Sequence, residues 1–306
     1  MSNDPIRVGV VGVGAIGQNH ARILGGCPGA ALTAIYDADL ARAEAMAAEH
    51  GGRAVASLDE FAALVDAATV ATPTVTHLEV GSKLLAAGKH CLIEKPIADN
   101  PDDAAKLVDL AKAGGVVLQV GHIERFNPVL GALEARLNQP KVIEAHRLSP
   151  FPNRSLDIGV VLDVMIHDLE IILHLVRSPV ASVDAVGVPV LTRREDIANA
   201  RLRFENGCVA NITASRISPE RLRKIRVFQE DCYLSLDYMA QAGEIYRKDG
   251  LEIAREPVEV EKAEPLRKEL ESFVECARAG GRPVVSGSEA AAALELALEI
   301  TKRIAA

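Results

Sequence analysis

Residues 6–17 constrain the fold more than any other part of the chain, because an apolar strand pattern runs directly into a loop of the form G-x-G-x-x-G. Gly12 permits the tight turn out of the strand, Gly14 lets a pyrophosphate approach the backbone, and Gly17 lets the next helix pack on the strand. That helix offers the N–H groups of its first turn to phosphates. The loop therefore predicts a dinucleotide site formed by these glycines together with Ala15 and Ile16.

A second predicted strand, 31–36, ends in Asp37, which lies 20 residues after Gly17. A carboxylate at this distance accepts a hydrogen bond from a ribose 2′-hydroxyl, and its charge disfavours a 2′-phosphate. The spacing thus favours NAD over NADP. The alternative interpretation is a cluster of turn glycines in an unrelated α/β protein, with Asp37 as a helix cap.

Strand and helix patterns alternate up to residue 121, which predicts right-handed βαβ units and an α/β, doubly wound parallel sheet of the Rossmann type. The predicted strands are 6–12, 31–36, 68–71, 90–93 and 116–121, and the predicted helices are 15–25, 39–50, 75–87 and 101–113. Ligands of such sheets bind beyond the carboxyl ends of the strands.

Residues 122–306 have a different texture, and we expect them to form an α+β domain for substrate binding and oligomerisation. An apolar helix is predicted over 157–176, and alternating strands around the hairpin signal Asn206-Gly207 predict an open, mostly antiparallel sheet. Helices are again predicted over 266–279 and 288–305, and the last is a candidate to pack back on the Rossmann domain. Helices cover one face of such a sheet, and a second subunit could cover the other.

Composition excludes several classes of protein. The net charge of −8 argues against a nucleic-acid-binding surface. The five cysteines are scattered without a C-x-x-C or zinc spacing, as in a cytoplasmic protein with reduced thiols and no metal site. No signal segment or membrane span is predicted.

Lys95 is the first candidate catalytic residue, since Glu94-Lys95-Pro96 follows a predicted strand. There a lysine would lie near the nicotinamide end of a dinucleotide and could donate to a substrate hydroxyl. The alternative is an ordinary surface lysine before a turn.

Asp163 and His167 are the second candidates, because positions i and i+4 share one face of a helix. A carboxylate beside an imidazole can tune it to act as a general base near neutral pH. Glu170 and His174 continue the stripe, which leaves a metal site or a purely structural pair as alternatives.

Polar groups that could hold a sugar or a diphosphate cluster at the predicted domain junction and beyond it. They are Arg125, Asn127, Arg147, Arg154 and Arg216. Arginine suits bidentate recognition of phosphate, although a run of charges is often only a solvated face.

Together these motifs resemble the glucose-fructose oxidoreductase, inositol dehydrogenase and rhizopine-catabolism family of NAD(P)-dependent sugar oxidoreductases. The resemblance implies that Lys95, Asp163 and His167 line the reacting carbon with His167 as acid and base. It also implies that Thr72, Pro73 and His77, with Glu94 beside Lys95, form the loops over the cofactor. It further implies a homodimer or homotetramer that forms through the open sheet.

A narrower resemblance rests on residues 121–128, 147–154 and 163–168. It points to family members that use NAD to oxidise the C3 hydroxyl of UDP-N-acetylglucosamine, bound here by Arg125, Asn127 and Arg154. An aminotransferase of the same pathway would then take the 3-keto product. A dehydrogenase of another UDP-sugar, a uronic acid derivative, a free sugar or inositol is the alternative, and a non-catalytic NAD-binding sensor is another.

Overall fold

The computed structural model describes residues 4–151, 158–250 and 252–305. The chain divides into two compact units, Met1–Ile123 with Glu264–Ala291 and Glu124–Ala263 with Ala292–Ala306. The sequence patterns place a single boundary after residue 121. In the structure, 264–291 join the first unit, and the last helix contributes its first residues to one unit and the rest to the other.

The first unit contains a six-stranded sheet in the order β3-β2-β1-β4-β5-β6, in which every neighbouring pair is parallel. Its strands are β1 Ile6–Val11, β2 Ala30–Tyr36, β3 Arg53–Ala54, β4 Ala67–Val70, β5 His90–Glu94 and β6 Leu118–Gly121. Its helices are α1 Gly17–Leu24, α2 Leu40–His50, α3 Leu58–Leu64, α4 His77–Ala86, α5 Pro101–Gly114 and, after the second unit, α8 Pro265–Ala279. The predicted doubly wound parallel sheet is confirmed.

The core of the first unit includes apolar residues of the sheet and of two helices that are distant in sequence. Val8 and Val10 of β1 are fully buried with Ile23 of α1 and with Leu270 and Phe273 of α8. Burial of this apolar face explains why α8 forms part of the first unit although it lies more than 140 residues beyond Ile123.

The second unit contains an eight-stranded mixed sheet in the order β14-β13-β12-β11-β7-β10-β9-β8. Only β7 and β10 pair in parallel, and the other neighbouring pairs are antiparallel. The strands are β7 Val142–Leu148, β8 Val180–Val188, β9 Ile197–Phe204, β10 Val209–Ser215, β11 Leu222–Phe228, β12 Cys232–Asp237, β13 Ala242–Asp249 and β14 Glu252–Val258. The helices are α6 Pro128–Glu134, α7 Ile166–Val176 and α9 Gly287–Ile304.

Alternation along the strands separates the two faces of this sheet. In β9, Ala198, Ala200 and Leu202 are buried, whereas Arg201 and Arg203 between and beyond them are exposed. The inward positions join one core with the apolar residues of α6, α7 and the later part of α9. The mostly antiparallel second sheet is thus confirmed.

Four elements were not predicted from the sequence. They are β3, α3, β13 and β14. Most residues of β13 and of the neighbouring edge strand β14 are partly exposed or exposed, so their sequences lack the apolar alternation that marks a half-buried strand.

Candidate functional site

The glycine-rich loop has the geometry that its sequence predicts. Gly12 has φ +84°, a backbone conformation that residues with a side chain rarely adopt. A Cβ atom on Gly17 would lie 1.8 Å from the carbonyl oxygen of Gly12, so the loop closes onto α1 only with glycine there. A Cβ on Gly14 would meet nothing within 4 Å, so the protein itself does not require glycine at this position. The open approach to Gly14 and the N-terminus of α1 fit a dinucleotide pyrophosphate.

Asp37, which directly follows β2, is hydrogen-bonded to the same loop. Its Oδ2 accepts the N–H of Val13 at 2.7 Å, and its Oδ1 accepts the N–H of Asp39 at 2.9 Å. These bonds fix the carboxylate beside the loop. Each carboxylate oxygen has two lone pairs, so the group can still accept a hydrogen bond from a ribose hydroxyl.

The predicted cofactor loop at Thr72, Pro73 and His77 is held to the Lys95–Pro96 turn through the imidazole. His77 Nδ1 lies 3.0 Å from the carbonyl oxygen of Pro96, and Nε2 lies 3.0 Å from that of Thr72. Burial lowers the pKa of His77, which favours the neutral ring. A neutral ring has a single N–H and donates to one of the two carbonyls.

Lys95 directly follows β5, at the carboxyl edge of the parallel sheet, and its peptide bond to Pro96 is cis. Glu94 lies beneath it: Oε2 accepts the backbone N–H of Lys95 at 3.3 Å, and Oε1 lies 3.2 Å from Nε2 of the buried His20. The carboxylate packs on β6, because a Cβ on Gly121 would lie 2.8 Å from it. Glu94 thus supports the turn from within the protein.

Asp163 and His167 lie in the second unit, where the predicted long helix is irregular. Residues Val161–Met165 form a π-helical turn that leads into α7, so Asp163 is in the π turn and His167 is the second residue of α7. Both side chains are partly exposed, whereas Met165, Ile166 and residues 168–172 are buried. Single π turns in α-helices are frequent at functional sites.

The residue after His167 is held by a buried ion-pair network that the sequence did not reveal. Nε and Nη2 of Arg147 donate to the two oxygens of Asp168 at 2.9 and 2.8 Å, and Nη1 donates to Glu124 at 2.9 Å. Arg147 is 5% exposed. Two carboxylates raise the pKa of Arg147. A signal was available: Arg147 has the same inward parity in β7 as the buried Ile143 and Ala145.

The predicted substrate ligands Arg125 and Asn127 have partners within the protein. Nη1 of Arg125 donates to Glu170 at 2.6 Å, and both side chains are nearly inaccessible, at 4% and 2%. Asn127 Oδ1 accepts from the N–H of Val129 as the cap of α6, and Nδ2 donates to the carbonyl oxygen of Tyr238. Arg154, the third predicted ligand, lies outside the described residues.

Arg216, considered above for phosphate recognition, instead forms a buried clamp with Asp196. Nε of Arg216 donates to Oδ1 of Asp196 at 2.9 Å, and Nη1 donates to the carbonyl oxygen of Ile158 at 2.8 Å. Hydrogen bonds from backbone N–H groups and from Arg216 hold the pKa of Asp196 well below its usual range. Beside it, Glu195 accepts the N–H of Val160 at the entrance to the π turn. The clamp therefore fixes the start of the helix that carries Asp163 and His167.

Within residues 4–151, 158–250 and 252–305, no group of three or more His, Cys, Asp or Glu side chains is placed to hold a metal ion. In the same ranges, no helix has the length and apolar character needed to cross a membrane.

Comparison with known families assigns both parts of the chain. Residues 6–122 match the family described as "Oxidoreductase family, NAD-binding Rossmann fold", and residues 131–234 match the "GFO/IDH/MocA C-terminal domain".

Relatives of the chain include several dehydrogenases. It is 40% identical to the UDP-N-acetylglucosamine 3-dehydrogenase of Acidithiobacillus ferrooxidans over 91% of this chain and 90% of that protein. A solved structure of UDP-N-acetylglucosamine 3-dehydrogenase GnnA from that organism superimposes with a TM-score of 0.93, at 37% identity over 98% of each chain. The scyllo-inositol 2-dehydrogenase (NAD(+)) of Bacillus subtilis is 27% identical over 97% of this chain and 93% of its own.

Proposed function

Since the chain belongs to the GFO/IDH/MocA oxidoreductase family, with an NAD-binding Rossmann domain, we propose that it oxidises the C3 hydroxyl of UDP-N-acetylglucosamine to the 3-keto sugar nucleotide. The observation that carries this proposal is the 40% identity, through both parts of the chain, with a UDP-N-acetylglucosamine 3-dehydrogenase. The inositol dehydrogenases are less similar over comparable lengths, at 27% for the Bacillus subtilis protein.

NAD, when bound, supplies the acceptor for the hydride from C3. The residues that would hold it are the N–H groups at Gly14 and at the N-terminus of α1 for the pyrophosphate, and Asp37 for the adenosine ribose. The fixed negative charge of Asp37 favours NAD over NADP, because the 2′-phosphate would be placed against it.

Side chains of the protein accept the proton of the reacting hydroxyl and stabilise the charge that its loss creates. His167 accepts this proton as general base, Lys95 stabilises the negative charge that develops on the oxygen, and Asp163 orients the site. The buried bond between Arg147 and Asp168 fixes the helical turn on which His167 lies. The contacts proposed from the sequence for Arg125, Asn127 and Arg154 with the sugar or diphosphate stay predictions.

The proposal includes a homodimer or homotetramer and an aminotransferase that removes the 3-keto product. The open face of the second sheet supports the oligomer, because outward positions of this sheet, such as Arg201 and Arg203, are exposed to solvent. The aminotransferase follows from chemistry, since a 3-keto sugar with a neighbouring acetamido group is the substrate from which a 3-amino sugar would be made.

The test is nicotinamide absorbance on mixing the protein with NAD and one sugar at a time. The panel contains UDP-N-acetylglucosamine, UDP-N-acetylgalactosamine, UDP-N-acetylglucosaminuronic acid, free N-acetylglucosamine and myo-inositol, each with a carbonyl trap because ketone formation can be unfavourable. We expect NADH from UDP-N-acetylglucosamine and a much weaker signal with NADP. NADH from myo-inositol or free sugar instead would contradict the substrate. If no sugar yields NADH although the protein binds NADH, a non-catalytic sensor would be favoured.

A further inference from the structure

Polar side chains are buried on one face of the first sheet, behind the turn that carries Lys95. Thr69, Leu92 and Gln119 are aligned across β4, β5 and β6, and aligned residues of parallel strands point to the same face. Leu92 packs in the core that contains Leu270 of α8, so this is the face that α8 covers. Thr69 and Gln119 are both 0% exposed there.

Glu269, one residue before Leu270 in α8, lies in the same region. Nε2 of Gln119 donates to the backbone carbonyl of Glu269 at 3.3 Å. Oγ1 of Thr69, Oε1 of Gln119 and both carboxyl oxygens of Glu269 are buried and have no hydrogen-bond partner among the described residues. Buried polar atoms left in this way cost free energy, and in proteins such atoms are commonly bridged by ordered water.

Two carboxyl groups therefore share an interior region that holds few compensating charges. Glu269 is completely buried, its carboxyl group interacts electrostatically with Glu94 of β5, and Glu94 in turn lies beside His20 of α1. Burial and the negative charge of Glu94 raise the pKa of Glu269 well above its usual range. The side chain of Glu94 is 17% exposed, and its carboxylate contacts His20 and accepts the N–H of Lys95.

We propose that Glu269 is a positioning residue: it stays protonated in the folded protein and, through bound water and together with His20, holds the Glu94 carboxylate under the Lys95 turn. A neutral acid can donate a hydrogen bond towards Glu94, whereas a second ionised carboxylate would repel it. Glu94 is already confined on its other side by Gly121. A fixed Glu94 carboxylate in turn fixes the backbone from which the Lys95 side chain projects. The proposal rests on the proposed function only through the role of Lys95.

Two substitutions separate protonation from simple packing. Glu269→Gln keeps a neutral hydrogen-bonding side chain, whereas Glu269→Leu keeps similar bulk without any polar group. Phe273→Leu, at another fully buried position of α8, is the control for a general loss of core packing. With the substrate that the wild-type protein oxidises, we expect kcat to be largely retained in Glu269→Gln and Phe273→Leu. We expect kcat to fall about 10- to 100-fold in Glu269→Leu, with NADH affinity kept.

Infrared difference spectra test the protonation state without any substrate. The wild-type protein should show the carbonyl band of a protonated carboxylic acid at neutral pH, and Glu269→Gln should lose that band. The free energy of unfolding gives a second readout. A raised pKa in the folded state means that wild-type stability falls, relative to Glu269→Gln, as the pH rises above the ordinary glutamate range.

The proposal is overturned if Glu269→Gln leaves the acid band intact, if the two stability curves run parallel, or if Gln and Leu reduce kcat equally. Wild-type kcat in Glu269→Leu would also overturn it. These results are distinguishable from a failure of the proposed function. If no sugar of the panel is oxidised, the infrared band and the pH dependence of stability still decide whether Glu269 is held as a neutral acid.

Discussion

At the scale of single residues, the glycine-rich loop separates what folding requires from what cofactor binding requires. A Cβ on Gly17 would collide with the backbone of Gly12, whereas a Cβ on Gly14 meets no protein atom within 4 Å. We therefore expect Gly17→Ala to lower both the melting temperature and NADH affinity. Gly14→Ala should unfold like the wild type yet bind NADH at least tenfold more weakly, since the methyl group occupies the approach of the pyrophosphate.

The matched control for this pair is Gly26→Ala, which also has open space around its Cβ but lies beyond the loop. Thermal unfolding and NADH fluorescence titration on the three variants suffice as measurements. Unchanged NADH affinity in Gly14→Ala would contradict the binding of the dinucleotide pyrophosphate at this loop.

The proposed acid–base roles of Lys95 and His167 can be tested by single substitutions. Lys95→Ala and His167→Ala should each reduce turnover by at least 10²-fold, the lower range for a general acid or base, while NADH affinity and unfolding stay close to wild type. His146→Ala is a suitable control, because this partly exposed histidine of β7 has no role in the proposed chemistry. Substantial turnover in either of the first two variants would contradict the assignment.

At the scale of secondary-structure elements, the start of the helix that carries Asp163 and His167 depends on the Arg216–Asp196 clamp. Both side chains are 0% exposed, and removal of one partner leaves the other as an unpaired buried charge. We expect Arg216→Met to lower the free energy of unfolding by about 3–5 kcal/mol in urea titrations. Arg303→Met, which removes an exposed i,i+4 pair with Glu299, should change it little.

The clamp also predicts a direction for pH dependence. The pKa of Asp196 is lowered in the folded state, so its contribution is present above the ordinary aspartate range and is lost as the pH falls below that range. Asp196→Asn should flatten this acid limb of the stability curve. An acid limb of unchanged slope would show that Asp196 is not held as an anion.

Elements with a strong pattern could be predicted from the sequence, and those without one could not. The first sheet follows from apolar runs separated by amphipathic helices, so β1, β2, β4, β5 and β6 were predicted to within about two residues. Long-range pairings leave no local signal. Arg147 and Arg216 were interpreted as phosphate ligands because arginine suits phosphate, and nothing nearby in the sequence indicates that Asp168 and Asp196 pair with them. The contact between His20 and Glu94 and the burial of Glu269 were likewise not indicated by residue spacing.

At the scale of the whole molecule, the open face of the second sheet supports the proposed oligomer. Phe228, Tyr233 and Tyr246 stack across β11, β12 and β13, with ring centroids 5.1 and 4.2 Å apart. All three are partly exposed, a composition typical of interfaces. We expect light scattering to give the mass of a dimer or tetramer, and Tyr233→Glu to lower it. Ala113→Glu, on the exposed face of α5, should leave the mass unchanged, and a wild-type monomer would contradict the proposal.

The central claim is that the oxidised carbon is C3 of a UDP-linked N-acetylglucosamine, and isotope transfer tests it most directly. UDP-N-acetylglucosamine carrying deuterium at C3 is incubated with the protein, NAD and a carbonyl trap, and the NADH is analysed by mass spectrometry beside a sample labelled at C4. The account predicts deuterated NADH from the C3-labelled sugar and unlabelled NADH from the C4-labelled one. Unlabelled NADH from the C3-labelled sugar, or deuterium arriving from C4, would contradict it.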